Sequence, residues 1–495
     1  MRASFVSILL ACAVCAVCAA CAGAPSNDPA TSLDADAAES LDVPTYDARA
    51  ADLPHAPDTL DADADADAGL ADQTTLPESV EADPGPPPSD VQPTDAPPED
   101  LGPSDTTPDL DAQPPSKAPV IILMICDGMG KAHVDLVSTY ATGGPGGLAM
   151  HGLAHHGEMA TASFSGITDS AAAATATATG TLTLNGRIAM DRDDAPLETV
   201  LETAMALGMP AGLVTTSALQ HATPAAFSAH RLSRQQYLDI ADDQALVVRP
   251  TVMLGGGAVF ALPAGPDSVR DDDGLIAPLE AEGYTVLTPG DALVAPATAP
   301  QKLVGYFAPE HLDYVLDATP EGGQPTLSHM TEVALAALDG GDGFFLMVEG
   351  ARVDMASHGN DLERMVGELL AFDDAVASVL AWAQGRPEVT VLITADHETG
   401  GLDVVAPAAK GTLPEVTWAT KVHTNRRVHV FGQGPGSEVF DGAILDHRWV
   451  HAVARSRLTS QPLEVPGPIL VPDGRLSDLA YVAAEQTVET GFGGA

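Results

Sequence analysis

Seven side chains of the types that bind metal ions lie at or near the ends of apolar runs in this 495-residue sequence. These carboxylates and imidazoles are Asp127, Glu349, Asp354, His358, Asp396, His397 and His423. Asp354 and His358 are four residues apart, which puts them on one face of a helix and allows them to bind one ion. Taken alone, this pair also fits a surface ion pair, and Asp127 also fits a helix cap. The convergence of all seven predicts a metal centre.

Ser170 and Arg234 have the chemistry of a site for a tetrahedral anion. Ser170 precedes an Ala-rich stretch that is typical of a helix, whose first turn offers free N–H groups and the positive end of the helix dipole. A simple N-cap serine is the alternative interpretation. Arg234 presents a planar fork that fits two oxygens of an oxyanion, although an isolated arginine is often only a surface charge.

The strands and helices that position these residues can be predicted from the sequence, because apolar runs alternate with stretches of helical periodicity. The runs are too short to span a membrane and are apolar on both sides, which favours an α/β fold with a central, mostly parallel sheet flanked by helices. In such sheets, chemistry gathers at the carboxyl ends of the strands. The predicted strands are 119–125, 211–214, 344–348, 389–393 and 428–431, and the predicted helices are 197–207, 327–338 and 362–383.

Six segments carry a resemblance to a known family. They are Asp127-Gly-Met-Gly, Thr168-Asp-Ser-Ala-Ala, His221-Ala-Thr-Pro-Ala-Ala, Val348-Glu-Gly, Thr394-Ala-Asp-His and His423-Thr. In their order along the chain and in their residue sequences, these segments resemble the alkaline phosphatase family over roughly residues 118–456. The segment 344–350 is among its most specific blocks. The resemblance implies an alkaline-phosphatase-like three-layer sandwich.

The resemblance also implies a role for each site residue. Ser170 would be the nucleophile and Arg234 the phosphate clamp, with Asp169 orienting Arg234. One zinc would be held by Asp354, His358 and His423, and a second zinc by Asp396 and His397, with Asp127 bridging it to a magnesium that Thr223 and Glu349 complete. The donor chemistry agrees, because mixed imidazole and carboxylate sets suit zinc and oxygen sets suit magnesium.

The implied activity is hydrolysis of small phosphate monoesters to an alcohol and inorganic phosphate, through a phosphoserine on Ser170, with two zinc ions and one magnesium. The alternative within enzymes is a phosphodiesterase or a sulfatase-like hydrolase of the same superfamily. Arg234, Thr223 and Glu349 together favour monoesters, because a clamp and a third metal suit a doubly charged terminal phosphate. A binding protein without turnover is a further hypothesis, which the complete residue set disfavours.

Two positions leave the ligands and the identity of the third metal undecided. His221 is a direct ligand or a residue behind the ligands, and the sequence favours the second interpretation. Met355 stands where the family often has Lys, His or Trp, and its thioether donates no hydrogen bond. The identity of the third metal therefore stays open at this point.

The charge of the chain restricts its partners. There are 69 acidic and 22 basic residues, for a formal net charge of −47, which argues against nucleic acid as a binding partner because phosphates would be repelled. Residues 22–116 contain 23 acidic residues and one basic residue, with many prolines, and are predicted to be a disordered linker.

The two ends of the chain complete the predicted organisation. Residues 1–21 have the layout of a signal peptide. Its end, Ala-Ala-Cys21, resembles that of a bacterial lipoprotein, so we expect an extracytoplasmic protein, either a periplasmic or cell-surface lipoprotein or a secreted one. Any membrane contact would then be through a lipid on Cys21. Residues 117–460 would form the catalytic domain and 461–495 an extension of unknown role, and the resemblance suggests a homodimer.

Overall fold

The computed structural model describes residues 117–319 and 323–467. The predicted signal peptide (residues 1–21) and the predicted linker (residues 22–116) lie outside the described residues. The same is true of residues 468–495 in the predicted C-terminal extension. The boundaries of these segments therefore stay predictions.

A ten-stranded sheet forms the centre of the described part of the chain. Its strand order is β14-β2-β13-β8-β1-β7-β3-β4-β6-β5, and β9–β12 and β10–β11 form two separate antiparallel pairs. The strands are β1 (Val120–Cys126), β2 (His155–Ala160), β3 (Ala211–Ala218), β4 (Val252–Gly256), β5 (Thr285–Leu287), β6 (Leu303–Tyr306), β7 (Phe344–Gly350), β8 (Val389–Thr394), β9 (Glu398–Thr399), β10 (Leu402–Ala406), β11 (Glu415–Trp418), β12 (His423–Thr424), β13 (Val428–Gln433) and β14 (Ile444–Asp446).

The centre of the sheet is parallel and fully buried. Every residue of β1, β7 and β8 is buried, as expected for β-branched and other apolar strands covered on both faces. In the register of the sheet, Cys126 pairs with Gly350, and Ile125 pairs with Thr394. The carboxyl ends of these three strands therefore lie side by side, which brings the segments that follow them together.

Helices cover both faces of this sheet. One group contains α1, α7, α8 and α9, the other contains α2, α3, α4 and α10, and each group packs within itself and against β1 and β7. The helices are α1 (Lys131–Thr142), α2 (Ser170–Thr179), α3 (Val200–Ala206), α4 (Ala222–Ser228), α5 (Tyr237–Asp242), α6 (Ile276–Ala281), α7 (Leu327–Leu338), α8 (Arg352–His358), α9 (Leu362–Ala383) and α10 (Arg448–Thr459). This arrangement confirms the predicted α/β fold with a mostly parallel central sheet and flanking helices.

Most predicted bounds lie within two residues of those in the structure, and two predicted elements differ by more. The helix predicted at 197–207 begins only at Val200, because Thr199 and Glu202 form a reciprocal capping box. The strand predicted at 211–214 continues to Ala218 as β3. Across residues 117–319 and 323–467, no helix combines the length and the apolar character that crossing a membrane requires.

Candidate active site and metal centre

The first cluster of donor atoms is formed by Asp354, His358 and His423. The first two lie on α8, which begins two residues after β7, and the third begins β12. His358 Nε2 lies 3.1 Å from His423 Nε2 and 3.2 Å from Asp354 Oδ2, and His423 Nε2 lies 3.6 Å from Asp354 Oδ1. Ligands bound tetrahedrally to zinc at about 2.0 Å are about 3.3 Å apart. The spacing of this cluster therefore fits one zinc ion.

The second cluster contains Asp127, Asp396 and His397, together with Ser170. His397 Nε2 lies 3.1 Å from Asp396 Oδ2, 3.6 Å from Asp127 Oδ1 and 3.2 Å from Ser170 Oγ. The spacing again matches ligands of a single ion. The ring of His397 stacks on that of His423, with centroids 3.5 Å apart, so the two clusters are adjacent.

The third cluster shares Asp127 with the second. One donor atom each from Asp127, His221 and Glu349 lie within 4.8 Å of one another. Glu349 Oε2 accepts hydrogen bonds from the hydroxyls of Thr215 and Ser217, whereas Glu349 Oε1 is buried and has no hydrogen-bond partner among the described residues. An oxygen donor in that position suits a magnesium ion.

Two of the imidazoles, those of His358 and His423, present their Nε2 atoms in the form that binds a metal. His358 Nδ1 lies 2.5 Å from the Lys421 carbonyl, and His423 Nδ1 lies 3.0 Å from the Thr168 carbonyl. A carbonyl only accepts, so each Nδ1 carries the proton and each Nε2 carries a lone pair. Two facing Nε2 lone pairs repel each other unless a cation lies between them. This arrangement fits the predicted zinc ligands.

The charges of the site also call for cations. Asp127, Glu349, Asp354 and Asp396 are all buried. Buried carboxylates in this number are unfavourable without compensating positive charge. Burial raises the pKa of Glu349, an effect that nearby His221, Thr215 and Thr223 partly offset. Burial acts in the same direction on Asp396, but His397 and the N–H of Gly128 outweigh it and lower the pKa of that carboxyl.

Backbone geometry also fixes the metal-binding segments. Gly128 donates from its N–H to Asp396 Oδ1 at 3.1 Å and has a positive φ of 75°. A Cβ atom at this position would lie 2.7 Å from Asp354 Cα. Only glycine is compatible with this turn, which brings the end of β1 against the first cluster.

Asp169 connects Arg234 to the start of α2, where Ser170 lies. Asp169 is the N-cap of this helix and accepts from Ala172 N–H at 2.9 Å, while its other carboxylate oxygen lies 3.2 Å from Arg234 Nη1. Gly186 N–H also donates to that second oxygen, at 2.9 Å. Asp169 therefore links the helix that carries Ser170 to the guanidinium group.

His221 contacts Arg234 from the other side. Arg234 Nη2 lies 3.2 Å from His221 Nε2, and a guanidinium group only donates, so Nε2 accepts. Thr223, two residues later on α4, is fully buried. Met355 is half-buried on α8, next to Asp354. The contact with Arg234 favours the interpretation that His221 lies behind the metal ligands.

Several residues that hold these ligands were not predicted from the sequence. The Thr399 hydroxyl donates to Asp354 Oδ1 and lies 3.3 Å from His397 Nδ1. Glu398 accepts from the hydroxyl of Thr424 and from the N–H of Leu402, which joins the segment after β8 to β12. Glu398 and Thr424 could have been suspected from the sequence, because each directly follows a predicted metal ligand.

Two buried histidines support the site from behind. His133 Nε2 lies 3.2 Å from Ser357 Oγ, next to His358, and burial lowers the pKa of His133 to about 3. His447 Nε2 lies 3.1 Å from the carbonyl of Ala395, beside Asp396. Burial lowers the pKa of His447 as well. Both side chains fix backbone or hydroxyl groups adjacent to metal-binding positions.

Comparisons with known proteins agree with this geometry. The family model described as alkaline phosphatase matches residues 118–414. Streptomycin-6-phosphate phosphatase of Streptomyces griseus is 32% identical over 388 residues, which are 65% of this chain and 86% of that protein. An alkaline phosphatase of Schizosaccharomyces pombe is 36% identical over 326 residues, 62% of this chain and 60% of that protein. A solved alkaline phosphatase from the Antarctic bacterium TAB5 superposes with a TM-score of 0.61 at 30% identity, covering 69% of this chain and 98% of that chain.

Proposed function

Because the chain belongs to the alkaline phosphatase family and is a phosphatase, we propose that it hydrolyses phosphate monoesters by transferring the phosphoryl group first to Ser170 and then to water. The observation that carries this proposal is the 3.2 Å distance between Ser170 Oγ and His397 Nε2. This distance puts the hydroxyl among the donor atoms of the second cluster. A serine in that environment is suited to act as a nucleophile.

The family is metal dependent, and the donor sets fit two zinc ions and one magnesium. Asp354, His358 and His423 would hold one zinc, and Asp396 and His397 the other, with Asp127 shared with a magnesium site completed by Thr223 and Glu349. When bound, such ions supply Lewis-acid stabilisation of the attacking and leaving oxygens. The protein's own side chains bind the substrate and take part in the transfer.

Arg234 binds two non-bridging oxygens of the phosphoryl group and holds it in line with Ser170 Oγ. Asp169 and His221 fix the two ends of that guanidinium group. Ser170 Oγ forms a bond to phosphorus as the bond to the alcohol oxygen breaks, and the proton that the hydroxyl gives up ends on the departing alcohol. Water then attacks the phosphoserine from the opposite side, which releases inorganic phosphate and restores the hydroxyl. Two in-line steps give net retention of configuration at phosphorus.

The test is hydrolysis of an aryl phosphate monoester by the full chain, with the matching diester alongside. We expect monoester turnover that is lost after chelation and restored by zinc plus magnesium. Ser170→Ala should bind the metals but lose at least about a thousandfold in kcat. A preference for the diester, or wild-type turnover by Ser170→Ala, would contradict the proposal.

We also propose that the protein acts outside the cytoplasm, as a lipoprotein or a secreted enzyme, and that it forms a homodimer. The N-terminal sequence that ends in Cys21 supports the first part. Labelling with a radioactive fatty acid distinguishes the two forms: the label enters the wild type but not Cys21→Ala if the cysteine is acylated. Light scattering of the purified protein tests the dimer.

A further inference from the structure

Lys421 lies at the edge of the first cluster. Its carbonyl oxygen accepts the hydrogen bond from His358 Nδ1 at 2.5 Å, and it precedes His423 by two residues. The following residue, Val422, accepts from Gly400 N–H at 3.1 Å. The backbone of Lys421 is therefore fixed against the candidate metal ligands.

The side chain of Lys421 is exposed. Within the described residues, no carboxylate pairs with its ammonium group, whereas Arg426 and Arg427 in the same segment pair with Asp403 and Glu158. An exposed lysine is strongly hydrated and mobile on its four-carbon stem. Lys421 is therefore an exposed cation, not paired with a described carboxylate, in the segment that borders the first cluster.

The charge of the surrounding protein makes this cation unusual. From Lys117 to the C-terminus there are 46 acidic and 20 basic residues, a net charge of −26. Such a field repels an anionic substrate, and a local positive group at the mouth of a cleft opposes that repulsion. The effect of one such group is short-ranged because salt screens charges over about 8–10 Å.

The geometry of displacement at phosphorus indicates which part of a substrate meets Lys421. Ser170 Oγ lies beside His397, whose ring stacks on His423 of the first cluster. In an in-line displacement, the leaving oxygen is opposite the attacking oxygen. An alcohol portion that leaves towards the first cluster passes the segment that carries Lys421, whose carbonyl is bonded to His358.

We propose that Lys421 is a specificity-determining residue that binds a second anionic group on the alcohol portion of the substrate. The preferred substrates are then phosphate monoesters whose alcohol carries a carboxylate or another phosphate. This inference rests on the proposed function, since it concerns the leaving group of that reaction. It assigns to the side chain of Lys421 a role separate from that of its carbonyl group.

The test compares three esters with different charges on the alcohol: phenyl phosphate, a carboxyphenyl phosphate and an aminomethylphenyl phosphate. Each kcat/KM is measured for the wild type, Lys421→Gln and Lys421→Arg, and changes are expressed relative to phenyl phosphate so that intrinsic reactivity cancels. We expect Lys421→Gln to lower the relative value for the carboxylate ester about twofold to fivefold, the range of an exposed ion pair. It should raise the relative value for the ammonium ester. Lys421→Arg should keep the wild-type order, and high salt should remove the difference.

Lys410 provides the matched control. It is also exposed, no described carboxylate pairs with it, and it lies beside Gly143 at the end of α1. Since α1 starts four residues after Asp127 and has 12 residues, its far end is about 18 Å away along the helix. Lys410→Gln should therefore leave all three ratios unchanged.

Two results overturn the inference while leaving the proposed function intact. One is an equal effect of Lys421→Gln on all three esters, and the other is an effect of Lys410→Gln as large as that of Lys421→Gln. If the wild type hydrolyses none of the esters, the proposed function is wrong and the inference falls with it.

Discussion

The hydroxyl of Thr399 donates a hydrogen bond to the carboxylate of Asp354. The Thr399 hydroxyl oxygen also lies 3.3 Å from His397 Nδ1. Because the hydroxyl proton is directed to Asp354, this oxygen accepts the proton of His397 Nδ1. One hydroxyl therefore orients a ligand of the first cluster and sets the tautomer of a ligand of the second. Hydrogen bonds of this kind typically tune the affinity of a metal site.

Thr399→Val should weaken zinc binding by about tenfold to a hundredfold, because valine keeps the shape of threonine and removes both hydrogen bonds. Activity at limiting zinc should fall, and excess zinc should restore most of it. The measurement is activity and bound zinc across a titration with a zinc buffer.

Thr399→Ser is the matched control for that titration, since it retains the hydroxyl. It should titrate close to the wild type. Equal zinc affinity in the valine variant and the wild type would show that Thr399 only fills space.

Asp169→Asn should weaken catalysis with little loss of stability. Asparagine retains an oxygen to cap α2 at Ala172 N–H, so the helix keeps its start. The amide group removes the negative charge and an acceptor facing Arg234 and Gly186. We expect kcat/KM for a monoester to fall about tenfold to a hundredfold, as for loss of a buried charge-assisted contact. Steady-state kinetics and a thermal unfolding curve, measured on the same sample, separate this effect from unfolding.

His221→Ala should weaken phosphate binding and leave the third metal in place. Arg234 would lose the acceptor that His221 Nε2 offers at 3.2 Å. The inhibition constant of inorganic phosphate should rise by about tenfold to a hundredfold, the effect of one hydrogen bond to a charged group. Magnesium content, measured by elemental analysis, should stay near the wild-type value.

Glu349→Gln is the comparison for His221→Ala, because its carboxylate belongs to the third cluster. It should lose magnesium. If His221→Ala loses magnesium to the same extent, His221 is a direct ligand, and the interpretation that it lies behind the metal ligands is wrong.

The sequence was sufficient to predict an element where the pattern of apolar residues is local and repeats regularly. The helices predicted at 327–338 and 362–383 have those bounds in the structure, since their apolar periodicity is strong. The direction of β13, which runs antiparallel beside β8, depends on pairing between distant segments, and no local pattern encodes it. The contact of Thr215 with Glu349 likewise exists only because β3 pairs with β7. Thr215 was missed for this reason, whereas Glu398 and Thr424 lie next to predicted ligands in the sequence.

Glu368 should make the protein less stable as the pH rises towards neutrality. This carboxyl on α9 is buried and accepts from Val315 N–H at 2.7 Å, and burial raises its pKa from 4.5 to about 7, despite the offsetting effects of that hydrogen bond and of Arg352. The folded protein therefore keeps a proton that the unfolded chain loses. Its stabilising contribution is complete below pH 4.5 and is lost as the pH rises through about 7.

Glu368→Gln removes this titration and keeps an oxygen to accept from Val315. Between pH 5 and pH 8, the unfolding free energy of the wild type should therefore fall by up to about 3 kcal/mol relative to that of the variant. Urea unfolding of both metal-loaded proteins at the two pH values measures the difference. Glu280→Gln, at an exposed position on α6, controls for the loss of one charge and should run parallel to the wild type. Parallel curves for Glu368→Gln as well would mean that Glu368 titrates alike in the folded and unfolded chains, and that its burial carries no pH-dependent cost.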